Sequence, residues 1–537
     1  MKKTLGGYLI ESLEIRGVRH VFGIPGVHNL ELYRGLAASS IRHVTGRHEQ
    51  GLGFMADGYA RITGQPGVCF TITGPGLTNI ATAMAQAYAD SIPLVVIASE
   101  NRRGEIGTGR GFLHELPDQL GLAAKVSVSA ERVEAPEALA DALARAFSAA
   151  TRQRPRPAYL EIPRDLLASD ASGLPLPAAA RPVIPSAATR GIAEAAQRLA
   201  QARAPVILAG GGARAAAAEI QRLADKLGAP VVMTVNARGL LPPQHPLGVS
   251  MSASLGPVRT MIAAADTVLA VGTELGPTDY DMYSADDFPP LPQLIRIDVE
   301  ASQLDRNAHP WLALHGHARE TLREILAVDS GIASINDTQL QRGASAARHA
   351  RTQALEGLSA PMRRQIAFLD SIRNAMPEAI LVGDSTQPVY AGNLGFAAAT
   401  PGSWFNSATG YGTLGYALPA STGAGLGAPD RPVVCLVGDG GFQFSLAELA
   451  VPRDIGAWTA IVIWNNRGYR EIKTSMLAVD IEPEGVDVKP PEFADIARAY
   501  GFAHRLIDSL ETLGRALREF SSRRQVLILE VRAEAFE

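Results

Sequence analysis

The residues best placed to do chemistry lie in two short segments of the last third of the chain. The apolar run PVVCLVG leads directly into Gly438-Asp439-Gly440-Gly441, and a second run, TAIVIW, ends in Asn465-Asn466. Asn466 follows Asp439 by 27 positions, which leaves room for one helix and one strand. Both side chains then fall at the carboxyl-terminal edge of neighbouring strands, where open α/β sheets bind ligands. The Asp439 carboxylate, the Asn466 amide oxygen and a backbone carbonyl just beyond, at Gly468, make a partial oxygen shell for Mg²⁺. That hard, octahedral ion completes its coordination with diphosphate and water. Gly440 and Gly441 allow a phosphate close to the backbone, and a helix starting there offers free N–H groups at its positive end. Gly-Asp-Gly and Asn-Asn are also plain turn formers; their combination at this spacing, after two strands, argues for the metal site.

The elements that must hold these residues are legible along the whole chain. Its 537 residues suggest three domains at the usual domain size. Apolar runs too continuous for period-two alternation recur throughout: GVCFTIT, PLVVIAS and PAYLEIP first, then PVILAG, PVVMTV, TVLAVG and LIRIDV, then AILVGD, PVVCLVG, TAIVIW and VLILEV. Such runs suit parallel strands covered on both faces. Helical patterns between them, such as TRGIAEAAQRLAQAR, predict repeated βα units. The fold class is therefore α/β, with three doubly wound parallel-sheet domains over residues 1–170, 188–328 and 360–537. The Pro- and Ala-rich stretch 170–188 and the polar stretch 329–361, whose second half could be helical, read as connections between them.

Composition excludes several classes. Fifty Lys and Arg against 54 Asp and Glu give a net charge of −4, with no long basic run, so neither nucleic acid nor a membrane surface is an expected partner. The N-terminal MKKTLGGYLIESLEIRG lacks the apolar run of a signal peptide, and no apolar stretch approaches a bilayer span. A cytoplasmic protein is expected. Cys69 and Cys435 each sit inside an apolar strand-like run and read as buried small hydrophobes.

Gly-Asp-Gly followed by Asn-Asn at this distance resembles the thiamine diphosphate signature. Arg47-His48-Glu49-Gln50-Gly51, running on through Met55-Ala56-Asp57-Gly58-Tyr59-Ala60-Arg61, resembles the glutamate motif of the acetolactate synthase and pyruvate decarboxylase superfamily. Thr73-Gly74-Pro75-Gly76, Asp90-Ser91-Ile92-Pro93-Leu94 and Gly410-Tyr411-Gly412-Thr413-Leu414-Gly415-Tyr416-Ala417-Leu418-Pro419 match it in the same order. The resemblance implies a pyrimidine-binding, a central and a diphosphate-binding domain, with thiamine diphosphate and Mg²⁺ as cofactors. It implies that Glu49 hydrogen-bonds the aminopyrimidine ring and promotes loss of the thiazolium C2 proton. It also implies that the Gly412 carbonyl accepts from the amino group, that Leu414 bends the cofactor, and that Thr386 and Gln387 meet the diphosphate. In such enzymes the counterparts of Glu49 and Asp439 serve one cofactor from different subunits, so a homodimer or homotetramer is implied.

The substrate end departs from the synthases. Where they carry Ala-Phe-Gln-Glu, this chain reads Phe112-Leu113-His114-Glu115-Leu116-Pro117-Asp118-Gln119; after Asn-Asn it reads Arg467-Gly468-Tyr469-Arg470-Glu471. His114, Glu115, Asp118 and Glu471 are polar or acidic, as a pocket for a cation would require. In these stretches the chain most resembles decarboxylases of 5-guanidino-2-oxopentanoate. An acid must then supply a proton after CO₂ leaves; histidine is the side-chain type suited to proton exchange near neutral pH, so His114 leads Glu471 for that role. The same residues can also form a solvated loop face. In the central domain Gly210-Gly211-Gly212 follows a strand, yet the Phe-Asp-Asp-Arg stretch of the synthases is replaced by Leu275-Gly276-Pro277-Thr278-Asp279-Tyr280-Asp281. No functional FAD is expected, and the glycines read as close packing. Beside the decarboxylase, an acetolactate synthase-like carboligase, an FAD-bearing oxidase and a non-catalytic assembly member stay open. Intact Glu49, Asp439 and Asn466 argue against the last.

Overall fold

In a computed structural model the described residues are 3–177, 189–280, 290–328 and 337–536. Most of the expected 170–188 connection and the first part of the 329–361 one, as well as Asp281, lie outside them. The remainder of the second stretch is a helix, Asp337–Gly357, whose Ala347 and Ala354 share a core with Val258 and Ile262 of the central domain.

Each third of the chain builds one six-stranded sheet. The first holds β1 (His20–Gly23), β2 (Arg42–Thr45), β3 (Gly67–Thr71), β4 (Leu94–Glu100), β5 (Ser129–Arg132) and β6 (Ala158–Pro163), in the order β2-β1-β3-β4-β6-β5. The second holds β7 (Pro205–Ala209), β8 (Val231–Met233), β9 (Gly248–Val249), β10 (Thr267–Val271), β11 (Ile295–Asp298) and β12 (Leu312–His315), in the order β12-β11-β10-β7-β8-β9. The third holds β13 (Ile380–Gly383), β14 (Trp404–Asn406), β15 (Val433–Gly438), β16 (Thr459–Asn465), β17 (Ala503–Ile507) and β18 (Val526–Arg532), in the order β14-β13-β15-β16-β18-β17. Neighbouring strands run parallel in all three. The first and third sheets therefore share one topology. In both, strand order reverses between the first and third strands, which opens a crevice there. β3, β4 and β6 are buried along their full length, as parallel strands covered on both faces must be. Cys69 in β3 and Cys435 in β15 are buried, and burial pushes both thiols up.

The central crevice is filled by protein. A Cβ on Gly210 would overlap the Gly272 carbonyl, and one on Gly212 would lie 2.9 Å from Gly272 Cα. The triple glycine after β7 thus lets two strand-end loops touch.

The first and third domains meet along two helices, Glu49–Thr63 and Ala417–Gly427. Their backbones approach so closely that a Cβ on Gly58 would overlap the Ala420 carbonyl, and one on Gly423 the Met55 carbonyl. Phe54, Met55 and Tyr59 share one core with Tyr416, Leu418 and Phe442. Arg61 lies within this seam, 1% exposed. Its guanidinium donates to Asp57 at 2.7 Å, to Asp90 at 2.5 Å and to Asn236 of the central domain at 3.3 Å. The rings of Phe405 and Tyr416 lie 5.2 and 5.8 Å from it, and the Tyr416 hydroxyl donates to Asp57. Removing the cation would leave two buried carboxylates without their countercharge, at a cost of about 3–5 kcal/mol. Arg61→Leu should therefore lower the urea midpoint of unfolding by a matching amount. An unchanged midpoint would show that the network contributes nothing net to stability.

Candidate active site

The crevice of the third sheet opens between β13 and β15, where the chemistry-bearing residues gather. Asp384 follows β13 fully buried, its carboxylate accepting from Ser385 N at 2.8 Å and Ala417 N at 3.2 Å. Burial pushes its pKa up to about 6. Thr386, buried, is the cap residue of the helix Gln387–Gly395. Gln387 Oε1 accepts from Trp464 Nε1 at 2.9 Å and from Asn466 Nδ2 at 3.2 Å. That second bond turns the Asn466 oxygen toward Asp439.

Three oxygens converge as a result. The side-chain oxygen of Asn466 faces the Gly468 carbonyl oxygen at 2.8 Å and Asp439 Oδ1 at 3.1 Å. With nothing between them, an amide would rotate to offer its NH₂ to both acceptors. The orientation that satisfies Gln387 instead gives an oxygen triangle. The two separations from the Asn466 oxygen lie near the edge of an octahedron with metal–oxygen bonds of about 2.1 Å, roughly 3.0 Å. Asp439 Oδ2 is fixed from the other side by Gly468 N at 2.9 Å. Gly468 adopts φ +143°, and a Cβ there would meet the Val486 carbonyl at 2.5 Å, so no larger residue could aim this carbonyl. Gly440 and Gly441 also make room for protein: a Cβ would come within 2.6 Å of the Tyr469 ring and 3.3 Å of Asp384 Oδ1 respectively.

Beside this cluster runs the loop between β14 and the helix Ala417–Gly427. Gly412 is exposed at φ +77°, its N–H donating to Ser407 O at 3.1 Å, and Leu414 is half-buried. The first domain pins the loop: Gln86 Oε1 accepts from Thr413 N and Oγ1 at 3.2 and 2.9 Å, and Asp90 accepts from Thr409 at 2.7 Å.

Glu49 opens its helix with its side chain buried and accepts from Asn79 Nδ2 at 2.9 Å. The turn before it is tied to the third domain by Glu448, whose carboxylate accepts from Arg47 N at 3.0 Å and His48 N at 2.8 Å. Glu448 escaped sequence analysis because an acid in the run FSLAELA carries no motif. Among the described residues, no hydrogen bond or ion pair joins Glu49 to the Asp439 cluster.

The four substrate candidates separate. His114 adopts φ +62° in the crevice of the first sheet, its ring 5.0 Å from that of His28. His28 Nδ1 lies 3.0 Å from Thr73 Oγ1. Desolvation first, then Arg164 and His114, push His28 down to about 4, so it is a neutral imidazole at pH 7. A lone histidine after a Gly-Ile-Pro-Gly turn gave no sequence signal; only its ring contact with His114 marks it. Glu115 is held by its own loop, accepting from Gly109 N at 2.7 Å, Gly111 N at 2.9 Å and Phe112 N at 3.1 Å. Asp118 caps the helix Gln119–Ala124 through Gly121 N at 2.7 Å. Both carboxylates therefore serve their loop before any ligand. Glu471 is exposed in the first turn of the helix Arg470–Ala478, close enough to Tyr390 to help desolvation raise that hydroxyl. Among the described residues, no hydrogen bond or ion pair joins Glu471 to His114.

Comparison with known proteins gives the family. Residues 3–122 match the N-terminal TPP binding domain of thiamine pyrophosphate enzymes, 192–325 their central domain, and 384–531 their C-terminal TPP binding domain. The chain is 45% identical to the "Probable 2-ketoarginine decarboxylase AruI" of Pseudomonas aeruginosa, over 98% of this chain and 94% of that protein. It is 30% identical to an acetolactate synthase of Arthrospira platensis over 99% of this chain and 94% of the relative. It is also 30% identical to the acetolactate synthase isozyme 1 large subunit of Escherichia coli, over 86% and 81%. With all three domain matches in order and a relative 45% identical over 98% of the chain, the chain belongs to the thiamine pyrophosphate enzymes.

Proposed function

We propose that this enzyme decarboxylates 5-guanidino-2-oxopentanoate without oxidation, giving 4-guanidinobutanal and CO₂, with thiamine diphosphate and Mg²⁺. The observation that carries the substrate assignment is the 45% identity with the protein named "Probable 2-ketoarginine decarboxylase AruI" along nearly all of both chains, against 27–33% for the acetolactate synthases. Bound thiamine diphosphate supplies an acidic carbon that attacks the 2-oxo group and accepts the electrons released with CO₂. Asp439, Asn466 and the Gly468 carbonyl would hold Mg²⁺, with Thr386, Gln387, Gly440 and Gly441 around the diphosphate. The Gly412 carbonyl and Leu414 would position the pyrimidine. Since no bond joins Glu49 to the Asp439 cluster among the described residues, the reading takes the activating glutamate from a second copy, in a homodimer or larger assembly. His114, beside the neutral His28, is the leading proton donor and Glu471 the second. No described helix is long and apolar enough to cross a membrane, which supports a cytoplasmic enzyme.

Carbon dioxide and aldehyde should appear in equal amounts when the loaded enzyme meets 5-guanidino-2-oxopentanoate in a panel of 2-oxo acids. Pyruvate as the better substrate, with acetolactate as product, would replace this reading by the carboligase one. Calorimetry with thiamine diphosphate and Mg²⁺ should show no binding to Asp439→Ala and weakened binding to Asn466→Ala, because the first loses a charged ligand and the second a neutral one. Wild-type affinity in Asp439→Ala would refute the site. Glu49→Gln should bind the cofactor yet slow hydrogen–deuterium exchange at C2 by orders of magnitude, read by NMR, because an amide cannot exchange a proton with the ring. Normal exchange would remove Glu49 from the activating role.

A further inference from the structure

A cavity of about 280 Å³ runs between the central and third domains. Gly412 and Ser385 line one part of it, next to the residues assigned to the cofactor; Ser252, Arg238 and Asp279 line the central-domain part. Asp279 is the cavity's one carboxylate among the described residues. It stands in the helix Pro277–Tyr280, within the segment that replaces Phe-Asp-Asp-Arg. Its carboxylate accepts one long bond, from Val235 N at 3.4 Å, and no Lys or Arg among the described residues lies within ion-pair distance. Arg238 shares the wall, but its two NH₂ groups donate to the Phe396 and Asn393 carbonyls at 2.7 and 2.8 Å. This half-buried carboxylate, with a single weak donor and Arg238 acting on it only through space, keeps lone pairs for a ligand.

We infer that Asp279 is the specificity residue that receives the cationic end of the substrate in this cavity. The inference rests on the proposed guanidino substrate and names the carboxylate that recognises it. A guanidinium presents two parallel N–H groups, which match both oxygens of a carboxylate. The acids nearer His114 are less suited: Glu115 and Asp118 spend their oxygens on backbone N–H groups, and Glu471 is exposed. Burial pushes the Asp279 carboxyl up to about 6, and a cation beside it would favour its ionised form.

The test compares 5-guanidino-2-oxopentanoate with 5-ureido-2-oxopentanoate, a neutral analogue of the same shape, in the loaded enzyme. Wild type should favour the guanidino compound in kcat/KM by about a hundredfold or more, and Asp279→Asn should bring that ratio below about tenfold, chiefly by raising KM for the cation. Asp279→Glu keeps the charge and should keep a preference for the cation, which guards against a variant that merely loosens the fold. If Asp279→Asn folds and the ratio survives, the inference is overturned while the guanidino reading stands. A ratio lost equally in Asp279→Glu and Asp279→Asn would also overturn it, because position rather than charge would then matter. If wild type shows no preference for the guanidino compound, the substrate reading fails and takes this inference with it.

Discussion

Arg61 sets the relative placement of the domains. A guanidinium removed from water must find enough acceptors to offset its lost hydration. Asp57 and Asp90 of its own domain supply both countercharges, the central domain adds Asn236, and the third adds the Phe405 and Tyr416 rings. The full set of contacts is made only when all three are docked. Asp90 then holds Thr409, and Gln86, bonded to Asp90 at 2.8 Å, holds Thr413, so the loop carrying Gly412 and Leu414 is fixed by the same network. The glycine contacts at Gly58 and Gly423 make this possible, because any side chain there would push the two helices apart.

Shared topology gives the first and third sheets equivalent crevices, and the side chains make them different. The third presents oxygens: Asp439, Asn466 and the Gly468 carbonyl. The first presents His28, Thr73 and His114. Under the proposed function, one would take the hard cation and the diphosphate, and the other would exchange the proton. In the central sheet the corresponding crevice is closed by Gly210 and Gly212 against Gly272.

Acidic residues near the site divide by what already holds them. Glu115, Asp118 and Glu448 give their lone pairs to backbone N–H groups and shape loops. Asp439 shares itself between the Gly468 N–H and the oxygen triangle, and Asp279 keeps most of its capacity free. Charge alone does not make a carboxylate a ligand; a shortage of internal donors does.

The fold class and the nearness of Asp439 to Asn466 were legible in the sequence, because both follow from local patterns. Buried parallel strands read as apolar runs, so β3, β4, β6, β7, β15 and β16 stood out. β2, β5 and β17 did not: they are short, partly exposed edge or near-edge strands whose mixed residues look like loop. Asp439 and Asn466 were visible because each directly follows a strand, so their spacing predicts adjacency. The chain alone could not say which acids near His114 were already consumed, since Glu115 binds N–H groups that only its folded loop brings together. Nor could it show that Asp279 would face Gly412 across a cavity, 133 residues away in sequence. Local periodicity determined the elements and the turn chemistry at their ends. Donor supply, desolvation and proximity across domains arise only on docking, so tertiary structure decided which of those residues were free to act.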